Sequence, residues 1–363
     1  MKKINSLSLS LTFAGCFLGA GYLSGNELVQ FFSGFGLKGI IGCFLALAGI
    51  TVFGILILYI ADKKKTAQVE NIIMPFHSPK LGTAVGVAQA ILVFAVAVIM
   101  AAGASTLVQE STGINRIIVS AVFCIVLAVV TSLGIGGMAT FFSFLVPAIA
   151  ICTLCVCGYF LFGGGVPQFS VTVPETLENP LLSHWILSAI SYLSYSIFAS
   201  AAIIAPVAEK LKGKHTYIYG TVLGGMIMFI IALSIMLTTA CVPESLTREL
   251  PMHAVAQKCN PALGAVYAVL LFGGMFGTAL TSCVALVNYI KLKAVLSKKY
   301  TYILIWITAV LVFVGSLCGF GDLIGTVYPL YGYIGIILLI FIVINFVKII
   351  KQNRNIDFKK YSV

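Results

Sequence analysis

Charge is what this sequence has least of. Only 9% of its 363 residues are Asp, Glu, Lys or Arg, against 60% hydrophobic residues and a mean hydropathy of +1.09. A soluble domain carries about a quarter charged residues, so an ordinary soluble protein is excluded and the chain must find its solvent in lipid. Catalytic motifs are missing as well. His77, His184, His215 and His253 fall in loops or at the ends of apolar runs, and no nucleophile–base pair or metal motif lies within one, so the chain is not read as an enzyme. The cysteines number ten, but Cys16, Cys43, Cys124, Cys152, Cys155, Cys157, Cys283 and Cys318 sit in apolar runs as small packing residues. Cys152, Cys155 and Cys157 imitate a metal motif without matching ligands. Cys241 and Cys259 flank the longest outer loop, where an oxidising exterior permits a disulfide.

What is present is a series of hydrophobic stretches. About 20 apolar residues cross a bilayer, and runs bounded by charges or turn residues predict ten spans, near 8–33, 38–60, 83–108, 114–132, 135–163, 183–207, 216–241, 262–290, 300–319 and 323–347. The first is too long for a signal peptide and lacks a cleavage site, so it is expected to be retained. Short cytoplasmic loops hold the basic residues. With the N-terminus inside, that side receives Lys2, Lys3, Lys63, Lys64, Lys65, Lys80, Lys210, Lys212, Lys214, Lys291, Lys293, Lys298, Lys299, Lys348, Lys351, Arg354, Lys359 and Lys360. The outer side receives only Lys38, Arg116, Arg248 and Lys258. The net charge of +11 is therefore a topology signal for a multi-pass plasma-membrane protein with both termini cytoplasmic, and no nucleic acid partner is implied. Residues 61–82 are expected to form an inner loop at the membrane surface, with Lys63, Lys64 and Lys65 near anionic lipid.

Spans one to five and six to ten share a rhythm of lengths at an offset of about 175 residues. Five is odd, so the second half enters from the opposite side. The expected architecture is one all-α polytopic membrane domain over 1–363, a 5+5 inverted-topology repeat (8–163 and 183–347) with helices 1 and 6 broken. Span one carries Gly15, Gly19, Gly21 and Gly25, each weakening a helix by about 1 kcal/mol relative to Ala, and then Glu27, the one acidic residue in the middle of a span. Span six carries a hydroxyl-rich patch over 191–200, followed by Pro206. Such side chains satisfy an unwound backbone, or simply bond back to their own helix. In span ten, Tyr328-Pro329 reads as a structural kink.

Gly19-Ala20-Gly21 followed by Ser24-Gly25-Asn26-Glu27 and Gln30-Phe31-Phe32 resembles the opening motif of the YkvI-type membrane proteins, a branch of the amino acid-polyamine-organocation superfamily. Met100-Ala101-Ala102-Gly103-Ala104 and Tyr328-Pro329 with Gly332-Tyr333 and Gly335 are similar to that family's other motifs. More distantly, the layout resembles the bacterial leucine transporter fold, whose unwound first and sixth helices hold the substrate. Ala14-Gly15, Leu18 and Gly19-Ala20-Gly21 match that fold's first-helix break, and Thr278-Ala279-Leu280-Thr281-Ser282 its sodium-binding segment. The resemblance implies one sodium site, from the carbonyls of Gly15, Leu18 and Thr278 and the hydroxyls of Thr281 and Ser282. The fold's second sodium site is not implied, because Tyr22 stands at its asparagine position. Nor is a lysine replacing sodium, because 135–163 contains no Lys or Arg.

The cargo expected from these features is an amino acid or related zwitterion. Its carboxylate suits the half-helix N-terminus near Tyr22, and its ammonium the carbonyls at the breaks. Gly19, Ala20, Gly21, Tyr22, Ser24, Ala102, Gly103, Tyr195, Ser196 and Phe198 are the candidate lining residues, and Glu27 a coupling or gate residue. The expected function is sodium-coupled uptake by alternating access, with no cofactor beyond the coupling ion. The alternatives are proton coupling through Glu27 and a non-transporting amino acid receptor of the germinant-sensing kind. Residues 251–259 are read as a short outer helix acting as a lid, by analogy with the fold.

Overall fold

The computed structural model describes residues 4–66, 72–76, 78–133, 138–163, 165–168, 179–211, 214–295 and 297–361. They are helical almost throughout, as lipid demands of a chain with so many apolar runs. The first apolar run forms three short helices, α1 (Ser6–Phe17), α2 (Ala20–Leu23) and α3 (Asn26–Phe31). Then follow α4 (Leu37–Lys64), α5 (Pro79–Thr112), α6 (Arg116–Leu133), α7 (Met138–Phe162), α8 (Trp185–Ile204) and α9 (Lys214–Cys241). The chain ends with α10 (Pro251–Cys259), α11 (Pro261–Ala294), α12 (Lys298–Ser316) and α13 (Phe320–Tyr361). Among the described residues, eight helices are long and apolar enough to cross a membrane, and α1 and α8 are shorter apolar helices.

Packing divides these helices into two groups. One comprises α1, α4, α8 and α9, and the other α5, α6, α11 and α12. Helix α7 touches both groups through α9 and α11, and α13 does so through α8, α4 and α5. The α8–α13 crossing is close because Gly332 and Gly335 lie directly against Ser191 and Ser194, so small residues let two backbones meet.

The first helix breaks where its glycines forecast. Leu18 N–H still reaches Ala14 O (2.9 Å), but Gly19 N–H turns to Phe17 O (2.7 Å), and the next ladder bond runs from Leu23 N–H to Gly19 O (3.0 Å). A second interruption follows at Gly25, whose φ of +82° favours glycine. The sixth helix corrects an expectation. α8 runs unbroken through 191–200, because its serines bond back to their own turns (Ser194 Oγ to Ile190 O, Ser200 Oγ to Ile197 O) or across to neighbours (Ser191 Oγ to Pro329 O, Ser188 Oγ to Phe31 O). Regular α-helix ends only at Ile204, where Pro206 lacks an N–H and the chain tightens into a 3-10 turn over Ala205–Lys210. Pro329 is accommodated inside α13.

Before α1 and after α8, Ile4 and Leu211 form an isolated parallel bridge that joins the roots of the first and sixth helices. Of the expected inner loop, 67–71 and 77 lie outside the described residues. Ile72, Ile73 and Met74 are buried, and Asn345 Nδ2 and Lys348 Nζ of α13 donate to Ile72 O (2.6 Å) and Pro75 O (2.9 Å), so this stretch packs into the protein. Between α9 and α11, Lys258 pairs with Glu244 and holds that carboxyl below its usual pKa range. Cys241 and Cys259 are free thiols.

Candidate functional site

The break in the first helix is the centre of the site. Because Gly19 N–H turns to Phe17 O and the next ladder bond runs from Leu23 N–H to Gly19 O, the carbonyls of Gly15, Cys16 and Leu18 are left without a ladder donor. A Cβ added at Gly15 or Gly19 would meet nothing within 4 Å, so space is open beside both. Helix α11 approaches from the other group. Tyr267 donates its O–H to Leu23 O (2.5 Å), and a Cβ at Gly274 would lie 3.8 Å from that of Ala20. One turn below Gly274 comes Thr278, and then Thr281 and Ser282. The Thr278 hydroxyl bonds to Gly274 O (2.9 Å), and that of Thr281 to Thr278 O (2.9 Å) and Gly277 O (3.1 Å). Thr281 is exposed and Ser282 buried. These oxygens are hard ligands of the kind sodium takes.

Two stripes of small and polar residues lead away from this level. Ser8, Thr12 and Gly15 share one face of α1, and Thr281, Ala285 and Asn288 one face of α11; all are exposed except the half-buried Gly15. Toward α10, the break is covered. The Met252 N–H of α10 donates to Ser24 O (2.9 Å), and Asn26 Nδ2 donates to Glu249 O (2.8 Å). Glu249 is the junction of that cover: its Oε2 accepts from the Thr106 hydroxyl of α5 (2.9 Å) and from Phe320 N–H at the start of α13 (3.2 Å). Beside it, buried His253 lies 3.5 Å from Glu110 and 3.3 Å from Ser111 at the end of α5.

The expected lining residues fall into two sets. Gly21, Tyr195 and Glu27 come together, because Glu27 Oε2 accepts from Tyr195 Oη (2.7 Å) and Oε1 lies against Gly21. Gly19 and Ala20 lie at the break itself. The others serve packing in this conformation. Tyr22 Oη is committed to Met228 O of α9 (2.8 Å), Ser24 Oγ to Gly21 O (2.8 Å), Gly103 packs against Phe320 and Met275, and Phe198 stacks on Tyr331. Ala102 and Ser196 are buried. Sequence reasoning missed Tyr192, Tyr328 and Glu249. Tyr192 had a signal, since it stands three residues before Tyr195 on the same face of α8.

No family model matches the chain. It is 24% identical over 335 residues to the uncharacterized membrane protein YkvI of Bacillus subtilis (strain 168), covering 92% of this chain and 94% of that protein. Among solved structures, it superposes on MhsT in complex with L-phenylalanine with a TM-score of 0.62 at 14% identity, covering 95% of this chain and 89% of that one. A substrate-bound, outward-open Na+-coupled sialic acid symporter gives 0.60 at 11% identity, over 91% and 76%. The solved structures it superposes on include membrane transporters. Over nearly its whole length, then, the chain is similar to the membrane protein YkvI, and its fold is the leucine-transporter fold of the Na+-coupled symporters.

Proposed function

We propose that this protein is a secondary active transporter that couples sodium entry to uptake of a small amino acid-like zwitterion by alternating access. In this reading α1 to α3 form one span, the ten spans make a 5+5 inverted repeat, and both termini are cytoplasmic. The observation that carries the reading is the first-helix break, where three carbonyls lack ladder donors, space is open beside Gly15 and Gly19, and Gly274 of α11, one turn before Thr278, lies against Ala20. Unwound backbone in a membrane is tolerated only where it is buried in protein or lines a water-filled cavity, and here it would serve ligands. The carbonyls of Gly15, Leu18 and Thr278, with the hydroxyls of Thr281 and Ser282, would hold one sodium ion.

The mechanism follows from which helices that ion joins. Sodium would fasten α1, in the first group of helices, to α11, in the second. Its departure would free the two groups to rock against each other. The polar stripes on α1 and α11 support an inward path in this conformation, since such stripes would be costly against lipid. Tyr267 keeps α2 tied to α11 while α1 below the break is released. MhsT binds L-phenylalanine in the structure bearing its name, which supports an amino acid-like cargo.

Uptake of a labelled mixture of the L-amino acids into proteoliposomes, with sodium or potassium outside, tests the proposal. Accumulation is expected in sodium only, and Thr281→Ala combined with Ser282→Ala should reduce it about tenfold or more, equivalent to about 1.4 kcal/mol of lost coupling per factor of ten. Uptake that is equal in both salts and indifferent to the double substitution would remove the coupling model.

A further inference from the structure

The lysines that close α4 have no part in the site described above. At the C-terminal end of α4 (62–65) and over 345–351 of α13, the charged side chains are five lysines, Lys63, Lys64, Lys65, Lys348 and Lys351, and one acid, Asp62. Asp62 is already paired with Lys65 at 2.8 Å. The two helices pack together here, with the Tyr59 ring edge-on to Phe346 at 5.3 Å, and Lys348 lies near enough to repel the charge of Lys64. All five lysines are exposed. The fold thus gathers like charges from two distant parts of the chain onto one surface, an arrangement that favours an anion.

The neighbourhood of these lysines is apolar and aromatic. Lys348 Nζ donates to Pro75 O (2.9 Å) and Asn345 Nδ2 to Ile72 O (2.6 Å), so α13 grips the 72–76 stretch by its carbonyls. Phe76 ends that stretch 47% exposed and edge-on to Phe341 at 5.9 Å, and Lys63 lies over the Tyr59 ring at 5.9 Å. Ile344 and Val347 of the same part of α13 are exposed as well. Aromatic rings and lysines at the end of a span are what the headgroup level of a bilayer selects, because lysine stems lie along apolar surface and lift their ammonium groups into water. A soluble anion needs only the cations. A phospholipid needs both, cations for its phosphate and an apolar flank for its chains.

We propose that Lys63, Lys64, Lys348 and Lys351 bind the phosphate of an anionic phospholipid, whose chains lie against Phe76 and Phe341. A phosphate shared between α4 and α13 offsets the repulsion among the lysines through charge-assisted hydrogen bonds. Lys348 carries three donors and Pro75 O takes one, so the same ammonium can hold the headgroup and the 72–76 stretch together. The lipid would therefore secure that stretch to the ends of both helices. The site is separate from cargo and coupling ion, and it stands whatever those are.

The test is melting of the purified full-length protein in non-ionic detergent, titrated at constant ionic strength with dioctanoyl phosphatidylglycerol, dioctanoyl phosphatidylcholine or glycerophosphoglycerol, the anionic headgroup without chains. Saturable stabilisation is expected from phosphatidylglycerol, with an apparent affinity about tenfold or more above that of phosphatidylcholine, and none from the headgroup alone. Phosphatidylglycerol should also slow hydrogen exchange over 72–76. Lys64→Gln combined with Lys348→Gln should weaken the lipid about tenfold or more, as for two lysines near a charged headgroup. If that variant does not fold, Lys63→Gln combined with Lys64→Gln carries the test, since it leaves the bond from Lys348 to Pro75 O in place. Lys298→Gln combined with Lys299→Gln removes as much charge from the start of α12 and should leave the affinity within about twofold of the wild type. The proposal is overturned if phosphatidylcholine stabilises as well as phosphatidylglycerol, if the headgroup alone does so, if the α4 and α13 variants keep the wild-type affinity, or if the α12 variant loses as much as they do.

Discussion

Gly332→Ala is expected to destabilise the protein by about 1–3 kcal/mol, the range for one methyl group forced into a packed contact. A Cβ at this position would overlap the Ser191 hydroxyl and come within 2.7 Å of the Ser191 carbonyl oxygen. The hydroxyl can rotate away, but the carbonyl belongs to the α8 backbone, and α8 holds Tyr192 and Tyr195. The two helices must therefore separate, which also pulls apart Gly335 and Ser194 one turn along, packed so closely that a Cβ on Gly335 would lie 2.7 Å from Ser194 O. Gly158→Ala is the matched control, since its Cβ would meet only the Phe162 ring at 3.8 Å. Thermal unfolding of both variants in detergent checks the difference. Equal melting of the two would mean that α8 and α13 do not cross through these residues.

The second large effect is expected at Glu249→Ala. Its carboxylate accepts from α5 and from the first N–H of α13, where the helix dipole also favours a negative charge, while its backbone carbonyl accepts from Asn26 of α3. One residue thus ties the cover to α3, α5 and α13. A hydrogen bond to a charged group contributes about 1.5–3 kcal/mol, so removing the carboxylate should shift closure of the cover by about 10- to 100-fold. Hydrogen exchange over 251–259 reports it, with the Met252 amide, bonded to Ser24 O, as the most direct reporter. Faster exchange there and unchanged exchange in α12 is the expected pattern. Thr106→Val, which removes one donor and keeps the volume, should give a smaller change in the same direction. Exchange at Met252 that is indifferent to both substitutions would show that Glu249 does not hold the cover.

Much of this arrangement was legible in the sequence, for local reasons. Span positions follow from hydropathy, and the first-helix break follows from Gly15, Gly19 and Gly25, because conformational freedom belongs to the residue itself. A short helix over 251–259 was also foreseen. The sixth helix was not read correctly, since a run of serines is compatible with a broken helix and with a helix whose hydroxyls bond to its own carbonyls. Only the partners of Ser188, Ser191, Ser194 and Ser200 decide between these, and two of the four lie on other helices. Glu27 stood out as an acid within a span, but its surroundings come from α8 and α13, far away in the chain. Glu249 stands in the sequence beside other charges, Glu244 and Arg248, with nothing to set it apart. Its partners Thr106 and Phe320 are brought to it by tertiary packing, and no spacing in the sequence announces them.

Sodium coupling is the central claim, and it has a direct test that needs no knowledge of the cargo. The melting temperature of the purified wild type is measured as sodium replaces potassium at constant ionic strength. A site specific to the native state stabilises by about 2.7 kcal/mol when the ion reaches a hundred times its dissociation constant. The account predicts a saturable rise with sodium in the wild type and a flat response when Thr281→Ala and Ser282→Ala are combined. Superimposable curves for sodium and potassium, or a wild-type rise retained by the double variant, would contradict it.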